Sequence, residues 1–125
     1  MRHLLTLADL TTAEIERIFS IAEDLKRDCQ QGVRAPLLER RVMVLLFEKP
    51  SLRTRVSFEA GMAQLGGTAI FLGDAGLGRR ETIADFARNL DKFADVIVFR
   101  GFLHQTVVEL AAHAACPVKI GRAHV

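Results

Sequence analysis

Val42-Met43-Val44-Leu45-Leu46-Phe47-Glu48-Lys49-Pro50-Ser51-Leu52-Arg53-Thr54-Arg55 is the stretch on which the fold turns. Val42 to Phe47 is a continuous apolar run of strand length, and such runs suit a parallel strand covered on both faces. Glu48-Lys49-Pro50 breaks the run, and a helical pattern follows from about Leu52 to Leu65. Arg53 and Arg55 fall in the first turn of that helix, where the helix end is itself partly positive. An anion held there would reverse the penalty, because backbone N–H groups, the hydroxyls of Ser51 and Thr54 and the Arg53 guanidinium would all face it. The stretch therefore reads as strand, phosphate-binding turn, helix. The alternative is an ordinary N-cap serine beside solvated arginines. Arg55 has Glu59 four residues on, the spacing of a structural ion pair.

Outward from this stretch the alternation continues. Thr11 and Glu14 make a capping box, with Leu10 and Ile15 as its hydrophobic staple. The helix that follows carries Ile15, Ile18, Phe19, Ala22 and Leu25 on one stripe and ends near Cys29, before a linker at 31–40. Gly66-Gly67 stops the second helix. Thr68 to Leu72 reads as a strand and Gly73 to Arg80 as a glycine-rich loop. A helix from about Thr82 to Phe93, a strand from Val96 to Phe99 and a helix from Gln105 to Ala114 follow, and Val118 begins a fourth strand. This order argues for an α/β three-layer sandwich, a parallel sheet flanked by helices on both faces, truncated after the start of the fourth strand. Ligands of such folds bind outside the carboxyl ends of the strands. Three loops meet there, and they hold Ser51 to Thr54, Gly73 to Arg80, and the segment from Arg100 to His104.

Composition narrows the function. A chain of 125 residues, half of them hydrophobic, is one ordinary domain with enough apolar surface for a core. A net charge of +2, with scattered basic residues, does not suggest nucleic acid. No segment reads as a membrane span, and Asp9 interrupts the short apolar run Leu4 to Leu7, so a cytoplasmic setting is expected. The two cysteines, Cys29 and Cys116, make neither a disulfide framework nor a metal site. Cys116 is expected buried and Cys29 on the solvent side of its helix. Arg100 directly follows a strand at the ligand edge. His104 could polarise a carbonyl or cap the next helix. Arg79 and Arg80 again place positive charge before a helix start, and a solvated loop is the alternative there. Gly76-x-Gly78 is not a dinucleotide fingerprint, since the third glycine is missing.

Phe47-Glu48-Lys49-Pro50-Ser51-Leu52-Arg53-Thr54-Arg55-Val56-Ser57-Phe58-Glu59, with Gln64-Leu65-Gly66-Gly67, resembles the carbamoyl-phosphate-binding half of the aspartate/ornithine carbamoyltransferase family. Its pattern there is F-x-x-P-S-x-R-T-R-x-S-F-E. Leu77 to Arg88 resembles the family's second binding loop and helix, and Arg100 with His104 match its arginine-to-histidine spacing. Glu48-Lys49-Pro50, Leu65-Gly66-Gly67 and Glu81 to Arg88 lean towards the ornithine members. The resemblance implies that Ser51, Leu52 (through its backbone), Arg53 and Thr54 hold the phosphate. Arg100 would reach the phosphate or the carbamoyl oxygen, with Arg53 and Arg100 catalytic, and His104, Arg55, Arg79 and Arg80 stand as further candidates. It also implies amine attack on the carbamoyl carbon, no metal or organic cofactor, and a homotrimer at full length.

There are departures. Leu52 stands where many members have threonine, Gly76 stands where many ornithine members have glutamine, and Gly101 and Leu103 are less typical. The family's second domain, which binds the amino acid, is absent, so the 125 residues by themselves are expected to be inactive, marginally stable and apolar on the outside. Residues 1–118 read as the carbamoyl-phosphate domain. Residues 119–125 read as a non-native tail that carries no fold information, because Ile120 to Val125 translate ATC GGA AGA GCA CAC GTC, a stretch of a widely used sequencing adapter. Two other readings stay open: a carbamoyltransferase for another amine (aspartate, acetylated or succinylated ornithine, putrescine), and a non-catalytic phosphate-binding module.

Overall fold

A computed structural model describes residues 2–73 and 76–121. A 3-10 turn, Leu7–Asp9, precedes helix α1 (Thr12–Gln30). The remaining elements alternate: β1 (Val42–Phe47), α2 (Leu52–Gln64), β2 (Thr68–Leu72), α3 (Ile83–Leu90), β3 (Val96–Arg100), α4 (His104–His113) and β4 (Val118–Ile120). The strands form one parallel sheet in the order β2-β1-β3-β4.

Period-two alternation divides each strand between two faces. Val44 and Leu46 of β1, Ile97 and Phe99 of β3, and Val118 and Ile120 of β4 pack under α3 and α4 with Ala87, Val107 and Leu110. Leu45, Phe47 and Val98 turn the other way, towards half-buried Phe58 of α2 and Phe71 of β2. The unbroken apolar run in β1 thus has the expected cause, since both of its faces are covered.

The ends of the elements follow local chemistry. Thr11 Oγ1 accepts from Glu14 N–H while Glu14 Oε1 accepts from Thr11 N–H, each at 3.1 Å, which completes the capping box. The Thr11 N–H, then Arg2 and the Thr11 hydroxyl, hold the Glu14 carboxyl below its ordinary value. Gly66, at φ +89°, closes α2 in the left-handed conformation, and Gly67 N–H donates to Met62 O at 2.9 Å. A side chain at Gly67 would meet Arg41 O at 2.9 Å and Leu38 O at 3.0 Å, so the linker can lie on this turn only if the residue is glycine. Asp95 ties the start of the sheet by accepting from Val42 N–H at 2.7 Å.

Three expectations are corrected, and one helix is placed that the sequence left open. The stripe of α1 does not enter the core: no α1 residue belongs to either core cluster, and Ile18 and Phe19 are exposed. Its C-terminal turns border a hollow shared with α2, so helical spacing identified the element but not what it packs on. Cys29 is half-buried there, its thiol 3.8 Å from Gln64 Oε1, rather than on the solvent side. Helix α3 ends at Leu90, which leaves Phe93 exposed beyond it. Lys119 and Ile120 do take part in the fold, opposite Val98 and Phe99, because a backbone ladder accepts any residue that can be extended. Leu4 extends the sheet beyond β4, exchanging hydrogen bonds of 2.9 and 3.0 Å with Val118 and Ile120, and His3 Nδ1 accepts from Val118 N–H. Residues 122–125 of the expected tail lie outside the described residues.

Candidate functional site

Strand order locates the site. From β1 the chain crosses to β2 on one side and later to β3 on the other, so the loops leaving β1 and β3 diverge and open a crevice between them. Ser51 to Thr54 follow β1, and Arg100 ends β3 directly beside Phe47. Glu48 N–H donates to Arg100 O at 2.8 Å, which extends the ladder one step past the strand and holds the two loops together at their roots.

Helix ends supply the electrostatics. Thr11 caps α1 and Thr82 caps α3, each through a side-chain bond, and each of these helices has an acid in its first turn. Helices α2 and α4, the two that follow the diverging loops, have neither. Ser51 occupies the N-cap position of α2, yet its hydroxyl makes no capping bond, which argues against the ordinary N-cap reading. Both uncapped, partly positive helix ends therefore lie at the carboxyl edge of the sheet, on the strands that flank the crevice.

Ser51, Leu52, Arg53 and Thr54 line an open concavity of about 720 Å³. The Leu52 side chain is 78% exposed, so this residue can offer the site its backbone N–H and nothing polar besides. Among the described residues, Arg53 and Arg100 take part in no recorded ion pair. Arg55 is engaged elsewhere: its Nε lies 3.3 Å from Glu59 Oε1, and its guanidinium stacks 3.6 Å from the centre of the Phe71 ring. The structure thus makes Arg55 a packing residue, as its spacing with Glu59 foretold.

His104 is the first residue of α4, exposed, four positions beyond Arg100. Arg79 and Arg80 are exposed in the turn between Gly76 and Glu81, where Arg79 N–H donates to Gly76 O at 2.9 Å. Gly76 has φ +70°, and a side chain there would touch Arg80 Cγ at 3.4 Å, so glycine permits the turn. Glu48, Lys49 and Phe102 escaped the sequence reading as site-shaping residues. Lys49 Nζ lies 5.2 Å above the Phe102 ring, and Glu48 reaches the same loop. Only the pairing of β1 with β3 brings them together.

Elsewhere, an apolar hollow of about 410 Å³ lies between α1 and α2, bordered by Leu25, Cys29, Val33 and Leu65. Its rim also carries Lys26, Asp28, Arg34 and Gln64, charges of both signs, whereas Ser51 to Thr54 offer only donors suited to an anion and are the better candidate site on chemistry. Among the described residues no group of histidine, cysteine, aspartate and glutamate could hold a metal ion. No described helix is long and apolar enough to cross a membrane.

Comparison with known proteins agrees with this geometry. Residues 2–123 match the aspartate/ornithine carbamoyltransferase, carbamoyl-P binding domain family. An ornithine carbamoyltransferase from Anoxybacillus flavithermus is 49% identical over 119 residues, which is 94% of this chain and 38% of that protein. The ornithine carbamoyltransferase from Pyrococcus furiosus superposes with a TM-score of 0.93 at 45% identity, covering 96% of this chain and 39% of that one. The catalytic subunit of M. Jannaschii aspartate transcarbamoylase superposes with a TM-score of 0.88 at 28% identity, covering 98% of this chain and 41% of that one. The chain spans about two fifths of the length of these proteins. It belongs to the aspartate/ornithine carbamoyltransferase family, over that family's carbamoyl-phosphate-binding domain.

Proposed function

We propose that the chain is the carbamoyl-phosphate half of an ornithine carbamoyltransferase. The observation that carries this is the uncapped N-terminus of α2, with Ser51 to Thr54 around an open concavity and Arg100 on the neighbouring strand. Ser51, the Leu52 N–H, Arg53 and Thr54 hold the phosphate. Arg100 reaches the phosphate or the carbamoyl oxygen. The amine of ornithine attacks the carbamoyl carbon, the bond from that carbon to the phosphate oxygen breaks, and the nitrogen gives up a proton, which leaves citrulline and phosphate. Arg53 and Arg100 stabilise the charge that develops on the leaving phosphate and the carbonyl oxygen, and His104 can polarise that carbonyl. Holding the two substrates in line contributes much of the rest. No metal or organic cofactor enters this chemistry.

The choice of ornithine over aspartate is supported by identities of 45% and 28% to the two solved enzymes. The amino acid is bound by a second domain, the working enzyme is a trimer, and its setting is cytoplasmic arginine biosynthesis. The 125 residues alone bind carbamoyl phosphate without turning it over. Calorimetric titration of carbamoyl phosphate into the chain tests the reading. Binding that falls by about ten- to a hundredfold in Arg53→Ala is expected for a lost charge-assisted contact. A folded chain that takes up no carbamoyl phosphate, or an Arg53→Ala variant that binds as well as the parent, refutes it.

The same reading includes a non-native origin for residues 119–125. Its support is the codon match of Ile120 to Val125 alone. The family match runs to residue 123, so the test is the source DNA: tail codons that continue into a genomic contig would refute an adapter.

A further inference from the structure

We propose that Glu48 is a positioning residue that tethers the loop from Arg100 to His104 against the Ser51 turn, and that it can do so because residue 101 is glycine. The proposal rests on the phosphate-site reading above for its consequence, but not for its geometry. Glu48 Oε1 accepts from Phe102 N–H at 3.4 Å, while the Glu48 N–H donates to Arg100 O at 2.8 Å. One residue at the end of β1 thus grips the β3 loop on both sides of Gly101. Gly101 is buried, and a β-carbon there would collide with Glu48 Oε1 and with the ring of Phe99. The carboxylate therefore occupies the space that a side chain at 101 would fill. Lys49 Nζ above the Phe102 ring adds a second contact between the same two loops.

A carboxylate three residues before Ser51 repels an anion bound at that turn. Such a residue is tolerable there if the order it imposes outweighs the repulsion. The Phe102 side chain is 63% exposed and Leu103 is 65% exposed, so apolar packing does little to fix this loop. The backbone contacts from Glu48 hold it, and with it the approach of Arg100 and His104 to the crevice.

The test separates the acceptor role of Glu48 from its charge. Amide hydrogen exchange by NMR is measured on the free 125-residue chain and on its Glu48→Ala and Glu48→Gln variants, with carbamoyl phosphate titrated into each. Glutamine keeps an oxygen that can accept from Phe102 N–H and removes the charge. Glu48→Ala is expected to speed exchange at Phe102 and to weaken carbamoyl-phosphate binding, each about tenfold. Glu48→Gln is expected to keep exchange slow and to bind at least as tightly as the parent chain. Unchanged exchange in Glu48→Ala, or exchange in Glu48→Gln as fast as in Glu48→Ala, overturns the tether. Faster exchange in Glu48→Ala with unchanged affinity overturns the positioning role. A parent chain with the slow, Glu48-dependent exchange but no uptake of carbamoyl phosphate upholds the tether and sinks the phosphate reading instead.

Discussion

On the face of the sheet under α3 and α4, Val44, Leu46, Ile97, Phe99, Val118 and Ile120 offer only hydrocarbon to the helices above them. On the α2 face, the row across the strands runs Phe71, Leu45, Val98 and then Lys119. There the Arg55 guanidinium lies over Phe71, and Lys119 Nζ lies 5.1 Å from the centre of the Phe58 ring. The first face is a closed core. The second buries Leu45, Phe47 and Val98 just as fully, but its cluster is smaller, and long cationic side chains lay their stems and charges on its aromatic rings. The larger cluster of buried residues lies on the first face, while the second carries α2 and the turn from Ser51 to Thr54 that opens it.

Truncation gives the largest expected contrast. Leu110→Ala, at a fully buried position between α4 and the sheet, should cost about 2–5 kcal/mol in urea unfolding. Met43→Ala, half-buried on the α2 face, should cost about 1 kcal/mol. Equal losses would mean that the faces contribute alike, and the comparison would fail.

The cysteines sample the two regions without any mutation. Cys116 is buried under the closed face, and burial first, then the nearby Asp91 carboxylate, push its thiol up from the ordinary value. Cys29 is half-buried between α1 and α2. A thiol reagent at neutral pH should modify Cys29 about a hundredfold faster than Cys116, which reacts only when the core opens. Similar rates would show that the α3/α4 face is not closed.

Lys119 sharpens the comparison through pH. Burial disfavours its ammonium, so the folded-state value lies below the ordinary 10.5. In the window between the two values the unfolded chain binds more protons, and stability therefore rises with pH; the penalty is at its full size below the folded-state value. Lys119→Met should raise stability by about 1 kcal/mol near neutral pH and abolish that rise. A destabilised variant would mean that the contacts of the ammonium with Phe58 and Ile120 O outweigh its lost hydration. The smallest effect is expected at Arg55: Arg55→Ala should cost about 0.5–1 kcal/mol for the stacked ring and the exposed Glu59 pair together, read from the shift in the urea midpoint. A neutral result would reduce Arg55 to a solvated residue.

Much of this was legible in the chain. A continuous apolar run, a capping box with both partners and a double-glycine stop are local signals, and each element they mark formed within a few residues of its expected ends. The stripe on α1 was legible as a helix, but its place outside both core clusters was not, because spacing reports a shared face and not what covers it. Ser51, Arg53 and Thr54 could be singled out because they fall along one turn at a helix start, where local spacing alone suggests an anion site. Glu48 could not, because its partner is 54 residues away.

The sequence by itself determined the order of strands and helices, the turn that groups two hydroxyls and a guanidinium at the start of α2, and the Arg55–Glu59 pair, since each depends on residues within one element or its immediate flank. Only the tertiary structure decided that β1 lies between β2 and β3, that two uncapped helix ends therefore flank one crevice, and that Gly101 leaves room for the Glu48 carboxylate. These depend on contacts between segments far apart in the chain, and no local spacing records which strands become neighbours.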